Sequence, residues 1–219
     1  MNANILSLDT TADFGSIALG GEEMLLHAPD GFGGVLFQRI EQLLQRVNVR
    51  LDDIEAFAAA AGPGSFTGVR IGLAAIKGLA EATKRRAIGV SNLEALAGFG
   101  TDPLRVPVMD ARRGEVYAAV YDSMGQRVMD EIVCRFPALL EQLPEQAVQF
   151  ISQDFSPFVP ALAGTRFANS SVIEAPRAMA AMIGRIAEER LAKGDAGEPA
   201  AIDANYVRRS DAELLFKPW

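Results

Sequence analysis

The stretch from Ala56 to Thr83 narrows the fold more than any other part of the chain. An apolar run, Ala56 to Ala61, enters the turn Gly62-Pro63-Gly64-Ser65 and leaves it as a long helical pattern. A short, continuous apolar run bounded by glycine and proline reads as a strand buried on both faces, the kind that a parallel sheet contains. The helix predicted over Ser65–Thr83 closes on Lys84-Arg85-Arg86, cations suited to a helix carboxyl end. Between Ser65 and Leu79 its only charges are Arg70 and Lys77. Val69, Leu73 and Ile76 fall on one side, and Ile71, Ala74, Ala75 and Leu79 on another, so this helix must be covered on two sides. Gly68 and Gly72, one turn apart, remove side chains where a neighbouring helix could come close.

Strands and helices alternate around this unit. A strand at Asn4–Leu8, turn residues Asp9–Asp13 and further strands at Ser16–Leu19 and Met24–His27 predict a meander. Leu36, Ile40, Leu43, Leu44 and Val47 then recur at helical spacing within Gly33–Asn48, with Val35 and Phe37 off the centre of the stripe. A strand at Ala87–Val90, Ser91 as an N-cap and a short helix at Asn92–Ala97 complete an α/β layer with some parallel pairing.

The glycine-rich stretch 98–103 is the predicted boundary of an N-terminal lobe, residues 1–103. A smaller lobe, 104–177, carries predicted strands at Val106–Met109, Glu115–Tyr121, Arg127–Cys134 and Ala147–Ser152, with a short helix near Pro137–Leu143. Residues 178–219 hold an amphipathic helix, Ala178–Lys193, and a tail with Tyr206, Leu214, Leu215, Phe216 and Trp219, enough apolar surface to predict docking back on the lobes. ILSLDTTADFGSIAL and VPVMDARRGEVYAAV both end an apolar strand in an aspartate, Asp9 or Asp110, before a returning strand. Two readings fit: an internal duplication, or two unrelated hairpins.

The glycine turn fails the common phosphate-loop templates. Its glycines fall at 62, 64 and 68, Val69-Arg70 stands where a Walker loop has Lys-Ser/Thr, and Thr67 takes the third glycine position of the dinucleotide fingerprint. Exposed amides at a helix start leave a secondary anion-binding reading for Asp9, Thr10, Thr11, Gly64 and Ser65. A Ser65 nucleophile would need a base; His27 is the sole histidine, and no G-x-S-x-G elbow is present, so Ser65 is expected as an N-cap. One histidine and one cysteine exclude a conventional zinc site. Carboxylate-only magnesium binding would draw on Asp9 and Asp110; Asp110 is expected to bond its own turn beside Arg112 and Arg113, and Asp9 stays open. No catalytic residue and no metal ligand is assigned.

Acidic residues outnumber basic ones 28 to 21, giving a formal net charge of −7, and no domain is basic. That disfavours autonomous, non-specific nucleic-acid binding. Cys134 is the only cysteine, the opening MNANILSLDTTADF lacks the basic start of a secretion signal, and no apolar run could span a bilayer. The expectation is a soluble cytoplasmic protein with no membrane partner. The two-sided helix and the off-centre residues of the earlier one together point to a helix–helix interface with another protein, over Val35, Phe37, Gly68, Val69, Gly72, Leu73 and Ile76.

ILSLDTT at Ile5, AAGPGSFTGVRIGLAAIKGLA at Ala60, MDARRGEVYAAVY at Met109 and NYVRR at Asn205 closely resemble the TsaB (YeaZ) family across nearly the whole chain. The resemblance implies a two-lobed actin/hexokinase-like (ASKHA) α/β fold with mixed sheets flanked by helices. It implies a non-catalytic scaffold or activator that binds the catalytic paralogue TsaD, with TsaE as an ATPase partner through the complex, for t6A37 modification of tRNA. A homodimer through the N-lobe helices, indirect tRNA contact, and ATP or ADP with Mg²⁺ at the level of the complex belong to the same implication; this chain itself requires no cofactor. The fold also accommodates an alternative, an ATP-dependent phosphotransferase or ATPase. Two departures stand out: GFGGVLFQRI lacks the histidine and proline that many relatives show there, and the tail reads Tyr206-Val207-Arg208 where Tyr-Leu-Arg is usual. The glycoprotease activity of older family labels is not carried over, because residues for it are missing.

Overall fold

Ile5 to Asp9 (β1) is paired on both sides, antiparallel to Phe14–Leu19 (β2) and parallel to Ala56–Ala60 (β4), in a computed structural model that describes residues 4–27 and 31–208. Glu22–His27 (β3) continues the meander and Arg86–Val90 (β5) pairs parallel with β4, so the first sheet runs β3-β2-β1-β4-β5. All five β4 residues are buried, which is why this strand reads as a continuous apolar run rather than an alternating one.

Leu36–Val47 (α1) and Phe66–Thr83 (α2) cover one face of this sheet. Leu6, Leu8, Ile17, Phe57 and Ala59 share a core there with Leu36, Ile40 and Leu43 of α1 and Val69, Leu73 and Ile76 of α2. Each such aliphatic or aromatic side chain withdrawn from water contributes on the order of 2 kcal/mol. Ala180–Ala192 (α6) covers the opposite face. Ser16 of β2 accepts hydrogen bonds from Met179 N (3.0 Å) and Ala180 N (2.9 Å), serving as a cap from another element for a helix with no side-chain N-cap of its own. A β-carbon at Gly184 would lie 2.8 Å from Ser7 Oγ, so that glycine allows α6 to approach β1.

Asn92–Ala97 (α3) leads into the second sheet. Leu104–Asp110 (β6), Glu115–Asp122 (β7) and Arg127–Arg135 (β8) form another antiparallel meander, and Gln149–Ser152 (β9) and Val172–Glu174 (β10) add parallel strands beyond β6. The order β8-β7-β6-β9-β10 repeats the order and directions of the first sheet. Phe136–Gln142 (α4) and Val159–Leu162 (α5) occupy the chain positions of α1 and α2, and Phe136, Phe150, Phe155 and Phe167 dominate the core with them. Sequence periodicity anticipates neither α5 nor β10, each too short to show a period.

The chain divides into two compact units, one of Met1–Ala95 with Pro176–Ala204 and one of Leu96–Ala175 with Asn205–Trp219. The change of unit therefore falls within α3, ahead of the stretch 98–103 expected as the boundary. The segment 178–219 is itself divided: α6 belongs to the first unit, and the NYVRR residues to the second. Asn205 Nδ2 donates to Glu131, which also accepts from Tyr121 Oη at 2.9 Å, while Arg208 pairs with Glu115 and lies over the Tyr117 ring. Leu214, Leu215, Phe216 and Trp219 lie outside the described residues.

Candidate partner-binding surface

The turn Gly62–Ser65 places its groups against the β1–β2 turn and α3. Ser65 Oγ accepts from Gly68 N at 3.3 Å, the N-cap geometry expected of it. Ser65 N donates to Thr11 O (2.7 Å), Gly62 N to Asn92 Oδ1 (2.9 Å), and Asn92 N back to Gly62 O (2.9 Å). Asn92 Nδ2 donates to Thr11 Oγ1 at 2.6 Å, and Thr11 Oγ1 donates in turn to Asp9 Oδ1 at 2.7 Å, an oxygen that also accepts from Thr11 N at 2.9 Å. Thr10 Oγ1 donates to Gly68 O at 2.7 Å. Asp9, Thr10, Thr11 and Asn92 are all buried. Among the described residues no buried side-chain polar atom lacks a partner.

The same packing bears on the residues of the anion and metal readings. A β-carbon at Gly64 would sit 2.7 Å from Thr11 Cβ, and one at Gly68 would sit 1.9 Å from Thr10 O. The β1–β2 turn thus rests directly on the first turn of α2, while Gly64, Ser65, Phe66 and Thr67 stay exposed. Burial pushes the Asp9 carboxyl above its ordinary value, opposed by the hydrogen bonds from Thr11 and Asn92. Asp9 is accordingly the bonded partner of its own turn. Asp110 is likewise bonded to its own turn, but in the open: its carboxylate accepts from Arg112 N at 2.7 Å and faces the Arg112 guanidinium at 3.7 Å. No group of three histidine, cysteine or acidic residues able to hold a metal occurs among the described residues. His27 stacks on Phe14 with ring centroids 4.8 Å apart, and Arg177 lies over the Phe14 ring. Burial raises the Cys134 thiol pKa, which works against a reactive thiolate.

Of the seven residues expected on the partner surface, Gly68, Val69, Gly72, Leu73 and Ile76 are buried. The physical reason is that they form the side of α2 that meets the sheet: Gly72 would place a β-carbon 2.7 Å from Thr10 Oγ1 and 3.8 Å from Ala59 Cβ. The paired glycines serve contact with the β1–β2 turn and β4 within the same unit. They do not open a groove for an outside helix, and the sequence alone could not tell one use from the other.

The other two residues do reach the surface. Phe37 is 57% exposed and Val35 half-buried at the start of α1. The outward side of α2 offers Phe66 (46% exposed), Thr67, Arg70, Ala74 and Gly78 in the open, with Ile71 half-buried. The Arg70 guanidinium lies 3.5 Å from the Phe66 ring centroid, a cation–π contact. A β-carbon at Gly33 would be 3.9 Å from Ile71 Cδ1, so the entrance to α1 borders the middle of α2. Exposed aromatic residues beside small ones on adjoining helices suit helix–helix docking. The signal for this face was already in the sequence, in Ile71 and Ala74 on the second apolar side. Asn92 carries no such signal, because its partners Thr11 and Gly62 are remote in sequence.

Residues 35–193 match the family described as TsaD, tRNA N6-adenosine threonylcarbamoyltransferase. The chain is 30% identical over 172 residues to the tRNA threonylcarbamoyladenosine biosynthesis protein TsaB of Haemophilus influenzae, covering 70% of each chain. It is 36% identical over 124 residues to TsaB of Bacillus subtilis and 37% identical over 125 to that of Escherichia coli; each match covers 53% of this chain and 54% of the relative. The chain thus spans about half the length of those two relatives. A solved Pseudomonas aeruginosa structure, described as similar to peptidase YeaZ, superposes with a TM-score of 0.77 at 24% identity, covering 94% of this chain and all of that one. A second, YeaZ from the same organism, gives 0.73 at 24% identity, covering 93% of this chain and 99% of that one. At that identity the likeness establishes the fold, a two-lobed actin/hexokinase-like architecture.

Proposed function

The chain belongs to the TsaB (YeaZ) family of tRNA threonylcarbamoyladenosine biosynthesis proteins, and on that premise we propose that it is a non-catalytic subunit that binds and activates a TsaD-like catalytic paralogue. The observation that carries the reading is the outward side of α1 and α2, where Phe37 and Phe66 stand exposed. Together with Ala74 and Gly78 they form apolar surface on adjoining helices that a helical partner would desolvate. The β1–β2 turn is consistent with the same reading, since Thr10 and Thr11 pack closely against Gly64, Gly68 and Gly72 and spend their hydroxyls within the chain. A TsaE-like ATPase, tRNA, and ATP or ADP with Mg²⁺ then act at the level of the assembly, and self-association through the same helices is the state expected without the paralogue. No helix among the described residues is long and apolar enough to cross a membrane, in keeping with work in the cytoplasm.

The test is reconstitution of threonylcarbamoyladenosine formation on tRNA with and without this chain, beside co-elution with the paralogue. Phe37→Glu and Ala74→Glu, each placing a charge on the outward side at an exposed position, are expected to weaken binding by about 30-fold or more while the melting temperature holds, as loss of an interface hot spot does. Modification that proceeds equally well without the chain, or undiminished co-elution of both variants, overturns the reading. Val69→Glu would not serve, because Val69 is buried and a charge there attacks the fold itself.

A further inference from the structure

The β1–β2 turn and α2 meet more closely than core packing requires. Thr10 holds α2 through its hydroxyl on Gly68 O at 2.7 Å, and its own carbonyl approaches so closely that a Gly68 β-carbon would stand 1.9 Å from it. Gly72, one turn further on, leaves room for the same hydroxyl. Thr11 O takes the Ser65 amide, and Asn92 bridges Gly62 to Thr11 through both ends of its side-chain amide. In a phosphate-binding loop, amides ahead of a helix point at a bound anion. Here at least two of them, those of Gly62 and Ser65, are satisfied by oxygens of the chain itself.

We propose that the β1–β2 turn is a built-in occupant of the α2 amino terminus, and that Thr10 and Asn92 are positioning residues that hold the outward side of α2 in its binding orientation without any nucleotide. The inference rests on the partner-binding reading above. Its physical basis is that a helix held at Gly62, Ser65 and Gly68, all within its first turn and the loop before it, cannot swing or slide along the sheet. Phe66, Arg70 and Ile71, within the first two turns of α2, then keep their place, Ile71 beside Gly33 at the entrance to α1. Neither Thr10 nor Asn92 reaches the outward side, both being buried, so any effect on affinity must pass through the placement of α2.

Thr10→Val is nearly isosteric and removes only the donor; Gly68 O keeps its helical hydrogen bond, so the fold survives. Thr10→Ser restores the donor, and Asn92→Ala cuts the bridge. As a control, Phe155→Leu in the core of the second unit destabilises without touching α2. Each variant is titrated with the paralogue by calorimetry at a temperature where all are folded. Thr10→Val and Asn92→Ala are expected to raise Kd about tenfold, within the range for positioning residues away from the contact, with Thr10→Ser near wild type and Phe155→Leu unchanged. Mg·ATP at millimolar concentration is expected to leave the melting temperature of the isolated chain unmoved. If the wild type binds and Thr10→Val binds equally well, or if affinity falls only in proportion to melting temperature across all variants, the positioning role is overturned. A saturable rise in melting temperature with Mg·ATP overturns the built-in occupant. If the wild type itself fails to bind, the partner reading fails instead.

Discussion

Two turns leave equivalent strands in the two sheets, each just after an aspartate, and they end in opposite states. In the β1–β2 turn, Asp9, Thr10 and Thr11 are buried under α2 and hydrogen-bonded to it and to Asn92. In the β6–β7 turn, Asp110, Arg112 and Arg113 are exposed, and Arg112, Arg113 and Gly114 follow one another with φ of 64°, 58° and 75°. The strand order and directions are shared, so the sheet does not cause the difference. The two units differ as well in the helix that follows the fourth strand: α2 spans 18 residues and α5 only 4. The first turn of α2 lies on the β1–β2 turn, whose Asp9, Thr10 and Thr11 are withdrawn from water, while Asp110, Arg112 and Arg113 of the β6–β7 turn stay in solvent. One half of a repeated topology thus acquires a rigid helical face, and the other does not.

The largest effect should come from adding one methyl group on either side of this comparison. Gly68→Ala would gain about 1 kcal/mol of helix propensity. Its β-carbon, 1.9 Å from Thr10 O, meets backbone that cannot rotate away, and overpacking of that kind costs about 3 kcal/mol. Gly114→Ala meets nothing within 4 Å and costs only the left-handed backbone, about 1 kcal/mol. Denaturant midpoints of both variants check the ordering; a Gly114→Ala loss equal to that of Gly68→Ala would mean that the β1–β2 turn is not held more tightly than its counterpart.

A smaller effect concerns the buried aspartate of the closed turn and its dependence on pH. Burial raises the Asp9 pKa above its ordinary 3.8, so the folded state holds a proton that the unfolded state releases. The stability that Asp9 contributes is complete below 3.8 and is lost as pH rises through the raised folded value. Asp9→Asn keeps an oxygen to accept from Thr11 and cannot ionise. Melting temperatures of the two proteins, followed from about pH 4 upward, should therefore diverge in favour of Asp9→Asn as pH rises. A wild-type advantage that grows with pH would reverse the sign and contradict the burial argument.

What could be read from the sequence follows the same division. The strand, turn and helix at Ala56–Thr83 were legible because apolar composition, glycine spacing and the terminal cations all agree. The paired hairpins around Asp9 and Asp110 were legible as a pattern, yet nothing local distinguishes a buried aspartate from an exposed one. Which side of α2 meets the sheet was hidden for a related reason: both sides are apolar, and Gly68 and Gly72 suit a backbone contact equally well whether it lies inside the chain or outside. Only the position of Thr10 decides it. Asn92, remote in sequence from Thr11 and Gly62, could not be found by any local pattern.

The smallest effect tests the open turn. Arg112 adopts a left-handed backbone that costs a non-glycine residue about 1 kcal/mol, a cost that asparagine bears more easily by bonding locally. Its ion pair with Asp110 spans 3.7 Å between side chains that are 77% and 59% exposed, and pairs of that kind contribute little. Arg112→Asn exchanges a weak contact for a better-suited backbone and should stabilise the chain by a few tenths of a kcal/mol, with paralogue affinity unchanged. Thr11→Asn on the closed turn has no backbone strain to relieve among the non-glycine residues with positive φ; it would also disturb the hydroxyl that joins Asp9 to Asn92, so it should destabilise. Paired chemical denaturation resolves the two signs. Stabilisation by both substitutions would show that the closed turn is as replaceable as the open one, and would remove the distinction on which the placement of α2 depends.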